Sequence, residues 1–155
     1  MDKSTYSTYV ERIQDISIKE LTSKAVEIYA TDETAEDAVQ VTEWMFFLLK
    51  NDKLIADNNY ALFVDVLAAA SLLHNIAYKY GESDFENLFK ARKLLNELNE
   101  DIKVPQTYIE SIFQAIEGQL GKDHPMVLLI PNPNTPGAHF SLACSIYYKT
   151  KSKII

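Results

Sequence analysis

Apolar residues recur along most of this chain at steps of three and four, the spacing that lines one face of an α-helix. The most apolar stretch is 67–81, LAAASLLHNIAYKYG, and the rest of the chain is organised around it. A helix over 58–78 places Leu62, Val66, Leu67, Ala70, Leu73, Ala77 and Tyr78 on an inward face, as a buried central helix requires. His74 falls near its end, where an imidazole can satisfy a last-turn carbonyl or the helix dipole. Gly81 is placed to end the helix in the left-handed conformation.

The same pattern sets the neighbours. A short helix is expected near 6–13, inside an N-terminal extension over 1–16. Ser17 followed by Glu20 reads as a capping box for a helix of about four turns with Ile18, Leu21, Ala25, Ile28 and Tyr29 inward. The acidic opening of DETAEDAVQVTEWMFFLLKND suits a helix N-terminus, and Ala38, Val41, Trp44, Met45, Leu48 and Leu49 continue as a buried stripe. After a break at Asp57, Asn58 and Asn59, Ser83 or Asp84 caps a helix with Phe85, Leu88, Phe89, Leu94, Leu95 and Leu98 on its inner side. Pro105 suits a first helical turn and leads Ile109, Ile112, Phe113 and Ile116, with closure at Gly118 and Gly121.

The stretch KDHPMVLLIPNPNTPG holds four of the five prolines and is the one long irregular segment, with a short strand over 127–130 as an option. Thr135 and Pro136 then open a last helix with Phe140, Ala143, Cys144, Ile146 and Tyr147 inward. The expected architecture is all-α, a single compact domain over 1–155 with about six or seven helices.

Composition adds limits. A chain of 155 residues, 47% apolar and 24% charged, has ordinary globular usage and fits one core. It contains no apolar run long enough for a membrane span, and MDKSTYSTYVERIQ lacks the pattern of a secretory signal. One cysteine, Cys144, leaves no internal disulfide and no cysteine-rich zinc site, which fits a reducing cytoplasm. A net charge of −7 without a basic stripe argues against nucleic acid as a partner. Lys149, Lys151 and Lys153 read as cations at a helix C-terminus.

LLHNIAYKYG resembles the signature LLHDIGK or LLHDICKYG of the HD superfamily of metal-dependent phosphohydrolases. In that family adjacent His and Asp bind a divalent metal, because the cation takes imidazole nitrogen and anionic oxygen together. Here the second position is Asn75, which keeps an oxygen and loses the charge. DAVQVTEW is similar to the opening pattern HSxRVAEx, with Asp37 at the first histidine. ENLFKARKLL is similar to EHPxLAAxxL, with Asn87 at a further histidine. AIEGQLGKDHP and PNPNTPGAHFSLACSIYYKTK resemble AIxxHMG and the helix carrying LADYLAS, which puts Gln119 at a ligand-side histidine and Cys144 at the last metal-binding aspartate. The resemblance spans roughly 36–149 and implies an HD-like helical fold.

Of the family's ligand positions only His74 is kept in kind. Asp37 can still bind a metal, Asn75 and Asn87 offer neutral oxygens, and Gln119 and Cys144 lack the usual donor. Metal chemistry of this kind depends on several converging ligands that lower the pKa of a bound water. The resemblance therefore implies a catalytically degenerate domain with no metal cofactor, which acts by binding another protein. Degenerate compact relatives are the sort of protein tailed phages carry, which implies a phage modulator of a host complex. No membrane partner is expected, and a homo-oligomer stays open.

Two alternatives use the same residues. A residual phosphohydrolase acting on a nucleotide or phosphate ester would use His74, Asp37 and Asn75 around manganese or zinc. A nucleotide-binding module without turnover would contact phosphate through Lys79, Lys90 and Arg92. His124 and His139 flank the proline-rich stretch and could form a relocated metal site, or simply belong to a loop and to a first helical turn. Cys144 lies among small apolar residues and reads as a buried inert thiol. The apolar run Val127, Leu128, Leu129 and Ile130 either packs back on the domain or meets the partner.

Overall fold

The computed structural model describes residues 1–51, 61–78, 84–118 and 137–155. After a single 3-10 turn at Lys3–Thr5 come α1 (Tyr6–Val10), α2 (Ile16–Tyr29), α3 (Asp32–Lys50), α4 (Ala61–Leu73), α5 (Asp84–Ile102), α6 (Gln106–Gly118) and α7 (Gly137–Cys144). A π-helical turn, Ser145–Lys149, continues α7. Among the described residues the protein is all-α, with seven α-helices and no strand.

Helix α4 is the axis. It packs against α1, α2, α3, α6 and α7, so nine of its thirteen residues are buried and it has no solvent stripe of the usual width. Three consecutive alanines, Ala68 to Ala70, are buried there, and their small side chains let the surrounding helices approach closely. Leu62 and Tyr78 depart from the expected inward face. They are 37% and 40% exposed, because Leu62 lies in the first turn of α4 and Tyr78 in the turn beyond its end.

Local chemistry sets the helix boundaries. Helix α2 is capped by Asp15, whose carboxylate accepts from the Ile18 amide at 2.9 Å and from the Ser17 hydroxyl at 2.7 Å. The expected box at Ser17 and Glu20 is thus replaced by a cap two residues earlier. Helix α3 has a reciprocal capping box, with Thr31 bonded to the Thr34 amide and the Thr34 hydroxyl bonded back to the Thr31 amide. Pro105 sits just before α6 and its carbonyl accepts from the Tyr108 and Ile109 amides. On α5, Leu88 and Leu95 are buried as expected, whereas Phe89 is 65% exposed. That helix packs chiefly on α2 and only lightly on α6, so its apolar arc is narrower than the sequence spacing implied.

The first sixteen residues are not an appendage. Tyr6, Tyr9, Val10 and Ile13 are buried in the main core. The buried carboxylate of Asp65, on α4, accepts from the Gln14 amide at 3.0 Å and the Asp15 amide at 2.8 Å, fixing the link between α1 and α2. At the other end, residues 151–155 leave the last helical turn and lie along α3. They do not extend a helix.

Candidate functional site

Helix α4 ends at Leu73, and residues 74–78 turn tightly through bonds from the Ile76 amide to the Leu73 carbonyl and from the Tyr78 amide to the Asn75 carbonyl. This turn fixes His74 and Asn75 inside the protein, 5% and 2% exposed. The His74 ring lies edge-on to Phe140 of α7 and to Tyr148 of the π-turn. Its Nδ1 is 2.7 Å from the Ser71 carbonyl oxygen, which can only accept. Nδ1 therefore carries the proton, and in the neutral imidazole Nε2 accepts from the Tyr148 hydroxyl at 2.6 Å.

The carboxylate of Asp37, on α3, is engaged in a parallel way: it accepts from the Tyr147 hydroxyl at 2.6 Å. Adjacent tyrosines thus stopper the nitrogen and the oxygen that the sequence offered as metal ligands. Neighbouring side chains on an α-helix diverge by about 100°. In the π-turn the two rings still meet at an interplanar angle of 65°, with centroids 5.0 Å apart, and each hydroxyl reaches its own group, Asp37 or His74. Burial pushes both phenols up. For Tyr147 the hydrogen bond to Asp37 adds to this, and for Tyr148 the negative charge of Asp37 does. Both stay protonated donors at neutral pH.

Asn75 donates from Nδ2 to the Thr34 carbonyl at 3.0 Å, one turn before Asp37 on α3. An ionised aspartate in its place would set two acceptors against each other, which gives a physical reason for the amide. The Asn75 Oδ1 is buried without a hydrogen-bond partner among the described residues. Cys144 lies one turn before Tyr148, and burial raises its thiol well above the ordinary range. A thiol held protonated in this way is a poor nucleophile and a poor ligand.

The structure thus brings Asp37, His74, Asn75 and Cys144 to the junction of α3, α4 and α7. Asn87 is also buried, with its Oδ1 unpartnered among the described residues, but it lies on α5, which packs chiefly on α2. Among the described residues no three His, Cys, Asp or Glu side chains are grouped to hold a metal ion. His139 is in the first turn of α7, with its ring 6.0 Å from that of Phe63. Arg92 is not a free phosphate contact. It pairs with Glu117 and Glu110 and stacks over Phe113, while Lys90 is exposed. Gln119, His124, Lys79 and the run Val127, Leu128, Leu129 and Ile130 lie outside the described residues.

Two features were missed from the sequence. Periodicity marks only Tyr147 as a core residue, although adjacent tyrosines after a buried cysteine carry two hydroxyls that need partners once buried. The tether of residues 151–155 to α3 was missed as well, and Lys153 pairs with Glu36 at 3.0 Å instead of serving a helix end. Comparison with protein-family models, curated proteins and solved structures finds no match to this chain. No helix among the described residues is long and apolar enough to cross a membrane.

Proposed function

We propose that this protein is a catalytically silent helical domain of HD type that works by binding another protein. The observation that carries the reading is the pair of phenol hydrogen bonds, Tyr147 to Asp37 and Tyr148 to His74. A divalent ion at this place would have to displace both, and it would gain one carboxylate and one imidazole in return. Two departures from the family pattern are also accommodated by the packing. Asn75 serves the Thr34 carbonyl, and Cys144 fills an apolar position where a carboxylate would be a buried unpaired charge.

The partner surface proposed from sequence is the apolar run Val127, Leu128, Leu129 and Ile130, part of five consecutive apolar residues inside the proline-rich stretch. A phage protein that retunes a host complex is the kind of role this reading fits.

The test is a manganese- and zinc-loaded preparation assayed on phosphatase and phosphodiesterase substrates beside His74→Ala. The expected result is no turnover in either protein, with a stability loss of about 1 to 2 kcal/mol in the variant from the bonds to Ser71 and Tyr148. Metal-dependent turnover abolished by His74→Ala would overturn the reading in favour of a residual phosphohydrolase.

A further inference from the structure

Residues 150–155 are attached to the domain in an unusual way. None of their side chains is buried, and beyond Thr150 the chain is held by polar bonds to one face of α3. The fully buried Gln40 side chain makes most of them. Its Oε1 accepts from the Ile154 amide at 3.0 Å and the Ile155 amide at 3.3 Å, and its Nε2 donates to a main-chain oxygen of Ile155 at 2.6 Å. The Trp44 indole donates to the Ser152 carbonyl at 2.8 Å. The Lys153–Glu36 ion pair completes the set, with both partners partly exposed.

This strap is coupled to the tyrosine pair through the backbone. Lys151 turns the chain onto α3 with φ 58°, a left-handed conformation that a lysine ordinarily avoids. The π-turn Ser145–Lys149 ends two residues before it, and π-turns are rare because the α-helix is the better hydrogen-bonded alternative. Relaxation to an α-turn would rotate and shift everything that follows, which the bonds at Gln40 forbid. Relaxation winds each residue of the turn by roughly 15° more, and the sum over residues 145–148 swings the Tyr147 and Tyr148 hydroxyls off Asp37 and His74.

We propose that residues 150–155 form a latch, whose release relaxes the π-turn, withdraws Tyr147 and Tyr148 and opens the cluster of Asp37 and His74 beneath them. Water can replace the strap's hydrogen bonds in a locally open state, whereas burial of a large apolar face would tie the strap to global stability. The latch goes beyond the function proposed above, because it stands whether the cluster beneath is silent or active.

The buried Cys144 thiol, one turn before Tyr148, reports the opening. Its reaction with an aromatic disulfide reagent is followed across a urea series in the intact chain, in Gln40→Met and in Lys153→Met, beside far-UV circular dichroism. The expected result is a rate at zero urea raised about tenfold in Gln40→Met and about twofold in Lys153→Met, scaled to the bonds removed. The urea slope of that rate should be well below the slope of global unfolding, since a local opening exposes less surface. Amide exchange at 145–150 should accelerate in step, while amides of α4 stay protected. Lys153→Met alters only an exposed side chain, so it tests the latch even if Gln40→Met folds poorly. Unchanged thiol rates in Lys153→Met, or rates that rise only with the full slope of global unfolding, would overturn the latch.

Discussion

The two ends of the chain are fastened by the same device with different backing. Near the N-terminus a buried side chain of α4, Asp65, accepts from two backbone amides, and at residues 154 and 155 a buried side chain of α3, Gln40, accepts from two more. At the N-terminal tether the neighbouring chain buries Tyr6, Tyr9, Val10 and Ile13 in the core. At the C-terminal tether no side chain of residues 150–155 is buried. A polar tether backed by apolar burial is part of the cooperative fold. One without it is a local equilibrium.

The largest expected effect that sharpens this contrast comes from Asp65→Ala. It leaves the Gln14 and Asp15 amides without their acceptor and removes the fastening of α1, for a loss of about 3 kcal/mol in urea denaturation. The transition should stay a single cooperative step. A loss under about 1 kcal/mol, or a separate early transition, would place the N-terminal end in the same class as the strap.

Alkaline pH comes next, and it acts on buried phenols at both ends, Tyr6 and Tyr9 as well as Tyr147 and Tyr148. Burial pushes the Tyr6 phenol from 10.0 up to about 12, and Tyr9 is raised by burial and by its bond to Glu43. The folded state therefore keeps phenol protons that the unfolded chain gives up near pH 10, so stability falls as pH rises from about 10 to 12. Tyr6 alone accounts for about 2 to 3 kcal/mol by pH 12. The part of the tyrosinate absorbance that Tyr6→Phe removes should appear together with loss of helicity; ionisation of Tyr6 in a protein that stays folded would contradict its role in the core.

Acid pH gives the smallest effect, and it falls on the C-terminal end. Lys153 holds the Glu36 carboxyl below its usual range, with Gln40 adding a smaller pull. The contribution of this pair is present above the ordinary glutamate pKa and is lost as pH falls through the lowered value. An exposed pair of this kind contributes up to about 0.5 kcal/mol, too little to unfold the domain. Trp44 is the single tryptophan and is bonded to the strap, so its emission should move to longer wavelength below about pH 4 while circular dichroism holds. Lys153→Met should remove that acid step. A fluorescence change that coincides with global unfolding would erase the distinction between the two ends.

Much of the architecture was legible because it is local. The steps of three and four that marked Ile109, Ile112, Phe113 and Ile116 are a property of one helix turn, and all four residues are buried. The residues of 67–73 read as a central helix because no polar stripe interrupts them, and they are buried on all sides. Boundaries were less legible, since Asp15 and Ser17 are both competent caps and only the chain's path decided between them.

The candidate site was legible one residue at a time. His74 and Asp37 stood out by type, but what occupies them did not, since the Tyr147 bond to Asp37 spans 110 residues and the Tyr148 bond to His74 spans 74. Asp65 was a visible charge in the most apolar helix, yet its partners lie 50 and 51 residues away. The sequence by itself therefore determined the helices and their buried faces, because periodicity and capping act within a turn or two. Which polar groups meet at the junction of α3, α4 and α7, and how the last residues fasten to Gln40, was decided only by the tertiary structure. Hydrogen bonds between distant residues leave no period in the chain, and they form only after apolar packing has brought their partners within about 3 Å.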